Sequence, residues 1–150
     1  MKKTIYIGAD SAGFALKEHV KALLEKDGYT VKDCGTDSEA SCHYPIFASA
    51  VCEGVLSQID SAFGILICGT GIGVSIAANK VKGAYAACVH DVYQAQRAEL
   101  SNHANIITLG SQVVGNELAK CIVKEYLSVT YDENSRSAPK LARIYEYEAE

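Results

Sequence analysis

The chain has 150 residues, of which 49% are hydrophobic and 21% charged, and its formal net charge at pH 7 is −4. This length and balance predict one globular domain, residues 1–150, with enough apolar side chains for a core. The acidic balance and the lack of a basic run exclude an ordinary nucleic-acid-binding surface. No run of about 18 apolar residues occurs, so we expect no membrane span. Asp10 interrupts the amino-terminal apolar segment too early for a signal peptide.

Hydrophobic patterning predicts five strands that alternate with helices. Strands are expected at residues 4–8, 29–34, 64–68, 84–89 and 105–109. Helices are expected at residues 13–26, from residue 44 onward, at 74–80, 91–100 and 113–129, and in the tail from about residue 137. The alternation predicts an α/β three-layer sandwich with a parallel sheet covered on both faces. Among the topologies with right-handed crossovers, we expect the strand order 2-1-3-4-5, followed by a helical tail.

The cysteines and histidines give no sign of a metal or disulfide framework. The six cysteines are scattered without CxxC pairs, which is typical of buried thiols in a reducing compartment. We therefore expect a cytoplasmic protein. The four histidines do not recur at zinc-ligand spacings, so we expect no metal.

The most informative stretch covers residues 64–80 and reads GILICGTGIGVSIAANK. An apolar strand is followed by Gly69, Gly71 and Gly73 and then by a helix-compatible segment. This order directs several backbone N–H groups towards one point, where they can hold an anion. A tight structural turn would explain the glycine spacing alone equally well. A dinucleotide-binding fingerprint is disfavoured because Val74 stands where its third glycine would be, and no P-loop lysine follows.

The predicted topology brings this loop next to the end of the first strand. In a sheet of this order, ligands bind at the carboxyl ends of the strands flanking the switch point, here the first and third. Those ends carry Asp10 and Ser11 on one strand and Cys68, Gly69 and Thr70 on the other. We therefore expect a carboxylate, a thiol and a nest of amides to meet in one crevice.

This set of groups is suited to moving a proton. A cysteine at a helix N-terminus has its thiolate form favoured, and a thiolate can act as a nucleophile or a base. No histidine lies in the motif to activate a nucleophile. A base that removes a proton next to a carbonyl forms an enediolate, whose oxyanion the amides would stabilise. Transfer between adjacent sugar carbons, as in aldose–ketose isomerisation, needs no metal and no cofactor.

Four segments carry a family resemblance that covers essentially the whole chain. They are the stretch at 64–80, the opening GAD…GF, the segment HYPIFA and the phrase LGSQVVGNELAK. Together they resemble the ribose-5-phosphate isomerase B family, which includes the galactose-6-phosphate isomerase subunits. The resemblance implies a Rossmann-like sandwich and a homodimer, often a dimer of dimers, with active sites shared between subunits.

The resemblance also implies roles for individual residues. Cys68 would be the base that moves the proton between C2 and C1, with Thr70 assisting. The anion hole would consist of the loop residues Gly69, Gly71, Ile72 and Gly73. Sugar contacts would come from Asp10, Ser11 and Tyr44. The partner subunit would supply Asn102 for the substrate and Arg136 and Lys140 for its phosphate.

The sequence departs from the family pattern at positions around both ends of the expected substrate. Ser11 follows the first aspartate where the family usually has histidine, and Gln112 stands where many members carry arginine. Lys140 replaces the second arginine of the tail. Ser101 occupies the position expected for the histidine that opens the sugar ring. His103, two residues on, could take over ring opening if the loop is rearranged; otherwise ring opening is left to water.

These features lead to an expectation of a sugar-phosphate isomerase, an intramolecular oxidoreductase of class EC 5.3.1. The expected reaction interconverts ribose 5-phosphate and ribulose 5-phosphate (EC 5.3.1.6) in the pentose phosphate pathway. One alternative is isomerisation of a hexose 6-phosphate such as galactose or allose 6-phosphate. Another is a sugar-phosphate-binding protein that has lost turnover, which Ser11, Ser101 and Gln112 would explain. A nucleotide-binding Rossmann module is the least favoured.

Overall fold

The computed structural model describes residues 2–150 and contains a five-stranded parallel sheet flanked by helices. The strands are β1 (Thr4–Ala9), β2 (Thr30–Asp33), β3 (Ala62–Cys68), β4 (Ala86–Cys88) and β5 (Ile106–Gly110). The helices are α1 (Phe14–Lys26), α2 (Tyr44–Ser57), α3 (Ile72–Asn79), α4 (Val92–Leu100), α5 (Asn116–Ser128) and α6 (Ala138–Ala149). The predicted alternation, the parallel α/β sandwich and the helical tail are confirmed.

The predicted strand order is wrong in its last two positions. The observed order is β2-β1-β3-β5-β4, so β5 lies beside β3 and β4 forms the edge. All five residues of β5 are buried, and β5 pairs with both β3 and β4. β4 has only three paired residues, and all of them are half-buried. A central position requires a strand that is buried on both faces, and β5 meets that requirement better than β4.

The two faces of the sheet are covered by different helices. One face packs against α1, α4 and α5, through side chains such as Val20, Ile122 and Tyr126. The other face packs against α2 and α3, through side chains such as Val51 and Val74. The buried side chains of these five helices therefore face the sheet, as is typical of amphipathic surface helices.

The order of the central strands fixes the position of the functional crevice. β1 pairs with β2 on one side and with β3 on the other, so the chain leaves β1 and β3 in opposite directions. The carboxyl ends of these two strands therefore border a switch point, as predicted. Within residues 2–150, no helix is both long enough and apolar enough to span a lipid bilayer.

Candidate active site

Cys68 is the last residue of β3, a strand whose seven residues are all buried. The chain then turns through a glycine loop into α3. Gly71 is the residue before α3 and has a φ of 78°, in the left-handed region that glycine adopts without steric cost. In this conformation the Gly71 N–H donates to Cys68 Sγ, with an N···S distance of 3.1 Å. The loop thus aims a backbone donor, at the N-terminus of a helix, at the thiol sulfur.

The glycine loop, residues 69–73, lies directly against the end of β5. A Cβ atom on Gly110 would lie 2.6 Å from the carbonyl carbon of Thr70, so no side chain fits between them. The Thr70 hydroxyl accepts a hydrogen bond from the Ile72 N–H at 3.3 Å. Tyr44 covers the loop from α2, because a Cβ on Gly73 would lie 2.8 Å from its ring. These contacts hold the loop between two elements.

Asp10 and Ser11 lie beside this loop, as the predicted topology requires. Both residues are half-buried and directly follow β1, where Ala9 pairs with Ile67 of β3. The Asp10 N–H donates to the Ile67 carbonyl at 3.3 Å. One carboxylate oxygen of Asp10 accepts from the Gly13 N–H at 3.0 Å and so holds the turn that enters α1. The carboxylate is therefore fixed at the crevice by the backbone.

Gln112 also contacts the loop. Its N–H donates to the Gly69 carbonyl at 3.0 Å, and a Cβ on Gly69 would lie 3.4 Å from its side-chain amide carbon. We call Cys68, the glycine loop, Asp10, Ser11, Tyr44 and Gln112 the thiol cluster. It occupies the carboxyl edge of the sheet.

A second group of predicted site residues lines a separate cavity of about 550 Å³. We call it the cation cluster; its lining consists of Ser101, Asn102, Arg136, Ser137, Lys140, Leu141 and Ile144. The only charged side chains in this lining are the two cations, which suits the cavity to a phosphate. Sequence reasoning missed one member of this region, Arg97, whose Nε donates to Ser101 Oγ at 2.8 Å. The four-residue spacing of Arg97 and Ser101, at the end of α4, was the available signal.

The two clusters lie at opposite ends of the strands, one at the carboxyl ends and the other at the amino ends. Gly110, at the carboxyl end of β5, pairs with Cys68, whereas Ser101 and Asn102 precede the amino end of the same strand. The four residue steps of β5 alone cover about 13 Å at about 3.3 Å per residue. A small sugar phosphate held in the cation cluster of one chain therefore cannot reach the thiol of that same chain.

His103 does not share a cavity with Asn102. Its φ of 46° and its N–H bond to the Glu99 carbonyl place it in the turn that ends α4. Its ring stacks on Tyr131, with ring centroids 4.4 Å apart, and lines another cavity of about 670 Å³ together with Tyr85 and other residues. The role of His103 in ring opening stays a prediction.

Two carboxylates attach the tail that carries the cations. Glu99 is 2% exposed and accepts from the Tyr131 N–H at 3.1 Å, while its other oxygen is buried without a partner. Burial raises the pKa of Glu99 above its ordinary value. At the far end of α6, the Tyr85 hydroxyl donates to Glu148 at 2.6 Å. This bond lowers the pKa of Glu148.

Within residues 2–150, no cluster of three or more His, Cys, Asp or Glu side chains is arranged to hold a metal ion. What the thiol cluster offers is a sulfur, a carboxylate, hydroxyls and a set of backbone donors. These groups can move a proton and stabilise an oxyanion.

Comparisons with known proteins show which family and which solved structures the chain resembles. A family model described as Ribose/Galactose Isomerase matches residues 5–144. The chain is 46% identical over 152 residues to D-erythrulose-4-phosphate isomerase 2 of Mycolicibacterium smegmatis, with 99% of each chain covered. It is 44% identical over 131 residues to ribose-5-phosphate isomerase B of Escherichia coli, with 87% of each covered. Its fold matches a Clostridium thermocellum ribose-5-phosphate isomerase B with a TM-score of 0.92, at 43% identity and 97% coverage of both chains.

Proposed function

The chain belongs to the ribose/galactose isomerase family of sugar-phosphate isomerases, and we propose that Cys68 is the base of an aldose–ketose isomerisation. The observation that carries this proposal is the Gly71 N–H bond to Cys68 Sγ at the start of α3. This bond places a backbone donor, at the N-terminus of a helix, against the sulfur that would take the proton. We propose that N–H groups of the same loop stabilise the oxyanion.

The proposed reaction moves one proton between neighbouring carbons and returns all groups to their starting state. The Cys68 thiolate takes the proton from C2 of the aldose, and the electron pair moves to the C1 carbonyl oxygen. The resulting enediolate is stabilised by N–H groups of the loop. The thiol then returns the proton to C1. A hydroxyl, for which Thr70 is the candidate, passes the proton from the C2 oxygen to the C1 oxygen, which leaves a ketone at C2.

We propose further that the complete site forms between two copies of the chain. The thiol cluster and the cation cluster both carry residues expected to touch one substrate, yet they lie at opposite ends of the strands. Exposed apolar side chains near the thiol cluster support a covering partner: Ile46 of α2 is 62% exposed, and Ile72 and Ile76 of α3 are 55% and 58% exposed. A homodimer would cover such side chains and bring each cation cluster to the partner's thiol.

The cation cluster favours a substrate that needs no ring opening. The residues lining its cavity include no histidine, and the Ser101 hydroxyl accepts a hydrogen bond from Arg97. Ribose 5-phosphate closes a ring through its 4-hydroxyl, which must open before a base reaches C2. In a four-carbon sugar 4-phosphate, that oxygen carries the phosphate and the chain stays open. We therefore propose a tetrulose 4-phosphate as the first substrate, in line with the name of the Mycolicibacterium relative.

Ribose 5-phosphate is the second candidate, because the family includes enzymes named for it and because His103 or water could open its ring. Turnover of D-erythrulose 4-phosphate, ribose 5-phosphate and galactose and allose 6-phosphates should be compared on the purified protein. Deuterium uptake from heavy water at C1 or C2, followed by NMR, reports proton transfer directly. Binding without deuterium uptake for any sugar would refute the isomerase and support a binding protein.

Two variants sharpen this experiment. Cys121→Ala is the matched control for Cys68→Ala, because Cys121 is an exposed thiol on α5. Uptake should disappear with Cys68→Ala and persist with Cys121→Ala. Ser101→His restores an imidazole and should raise kcat/KM for ribose 5-phosphate relative to the tetrulose phosphate. An unchanged ratio would remove ring opening as the basis of substrate choice.

A further inference from the structure

Thr108 places a hydroxyl in the fully buried middle of β5. Its side chain is 0% exposed and lies between Ile107 and Leu109 in a strand that is buried throughout. Valine has nearly the same shape and would fill this position without burying a polar group. A buried hydroxyl is costly unless it is hydrogen-bonded. Here Thr108 Oγ1 donates to the carbonyl oxygen of Gly71, 37 residues away in sequence, at 2.7 Å.

This bond fixes one peptide plane of the glycine loop. The Gly71 carbonyl also accepts from the Ser75 N–H at 3.3 Å, which is the first bond of α3. Two donors from different elements therefore hold the carbonyl of the peptide between Gly71 and Ile72. In a trans peptide the N–H points away from the carbonyl. The Ile72 N–H is consequently held on the side of the loop away from Thr108, where Thr70 Oγ1 accepts it.

The preceding peptide, between Thr70 and Gly71, is linked to this one through Gly71. Gly71 supplies both the carbonyl that accepts from Thr108 and the N–H that donates to Cys68 Sγ. A rotation of Gly71 that breaks the first bond would also move the donor away from the thiol. Thr108 thus connects the centre of β5 to the donors that face the reacting atoms.

We propose that Thr108 is a positioning residue that sets the anion-hole geometry and the Gly71 N–H contact of Cys68. This inference rests on the proposed isomerase function. Because Thr108 holds the loop whose backbone N–H groups are proposed to stabilise the enediolate, its loss should lower kcat while leaving substrate binding nearly intact. Loss of one oxyanion donor costs about 10²- to 10³-fold in kcat, and a displaced donor retains part of its effect. We therefore expect Thr108→Val to lower kcat by about 10- to 100-fold.

The test compares Thr108→Val with two other variants. Thr108→Ser keeps the hydroxyl and should recover kcat to within a few-fold of wild type. Tyr126→Phe is the matched control, because the Tyr126 hydroxyl is also buried and donates to a backbone carbonyl, that of Ala104, at 2.6 Å. This control should lower the thermal midpoint without changing kcat. A sugar-phosphate hydroxamate, which carries an oxyanion resembling the enediolate, should bind Thr108→Val more weakly by about the factor lost in kcat.

Hydrogen exchange separates this inference from the proposed function. Amides of residues 69–73 should exchange faster in Thr108→Val than in wild type, and Thr108→Ser and Tyr126→Phe should leave them unchanged. This readout does not depend on turnover, so an inactive wild-type protein would refute the isomerase alone. Unchanged exchange in Thr108→Val, a kcat equal to that of wild type, or a loss of kcat matched by Tyr126→Phe would each overturn the role of Thr108.

Discussion

The separation of the thiol cluster from the cation cluster makes a quantitative prediction for mixed dimers. In the proposed homodimer, each site takes Cys68 from one chain and Arg136 from the other. A dimer of one Cys68→Ala chain and one Arg136→Ala chain then has one site with both residues and one site with neither. Random pairing at a one-to-one ratio makes half of the dimers mixed. The mixture should therefore recover about a quarter of wild-type activity, although each variant alone is nearly inactive.

The assay refolds or co-expresses the two variants with different affinity tags and purifies the doubly tagged dimer. That dimer should show about half of the wild-type kcat per dimer, with an unchanged KM, because its one intact site is identical to a wild-type site. The distance along β5 excludes the alternative in which each chain completes its own site without large movement. No recovery in a verified mixed dimer would refute the shared site. A dimer of two Cys68→Ala chains is the negative control.

Four further variants test other parts of the argument. Cys68→Ala should lower kcat by about 10²- to 10⁴-fold with KM changed little, as measured by initial rates; near-normal turnover would refute Cys68 as the base. His103→Ala should impair cyclic more than acyclic substrates if His103 opens the ring, and equal effects would exclude that role. Tyr85→Phe removes the bond to Glu148, worth about 1.5 to 3 kcal/mol for a charged acceptor, and should raise KM more than it lowers kcat because α6 carries Lys140, the proposed phosphate ligand. Glu99→Gln should raise the thermal midpoint at neutral pH, because the pKa of Glu99 is raised in the folded protein. The stability that Glu99 contributes is present below about pH 4.3, its pKa in the unfolded chain, and is lost as the pH rises through the folded pKa. The gain should vanish in acid, and a gain independent of pH would contradict this reasoning.

The fold was largely predictable because the spacing of apolar residues shows which side of a segment is buried, and this spacing differs between strands and helices. The order of β4 and β5 was not, because burial of a strand does not say which strand lies beside it. Residues 84–89 looked like a full strand, yet only Ala86–Cys88 pairs. Small side chains such as alanine fit an edge or a centre equally well, so the sequence there carries little information about position.

The candidate site could be predicted where it follows from the order of the strands. It could not be predicted where it depends on contacts between residues far apart in sequence. The glycine loop and the end of β1 could be placed together because the switch point follows from topology. Thr108 could not be recognised, because its partner Gly71 lies 37 residues away and threonine is common in strands. Ile46 of α2 is apolar yet exposed, and a single sequence gives no signal that separates a core side chain from one that the proposed dimer would cover.

The departures from the family pattern have a common chemical effect. Ser11, Ser101 and Gln112 each replace a titratable or cationic side chain with a neutral hydrogen-bonding one, and Lys140 replaces a forked cation with a point charge. Cys68 and its glycine loop are unchanged, so the proton transfer itself needs no new machinery. Fewer cationic and titratable groups around the substrate favour a smaller molecule whose ring need not be opened. The changed positions therefore affect which sugar phosphate binds. The unchanged loop is the part of the site that is proposed to carry out the proton transfer.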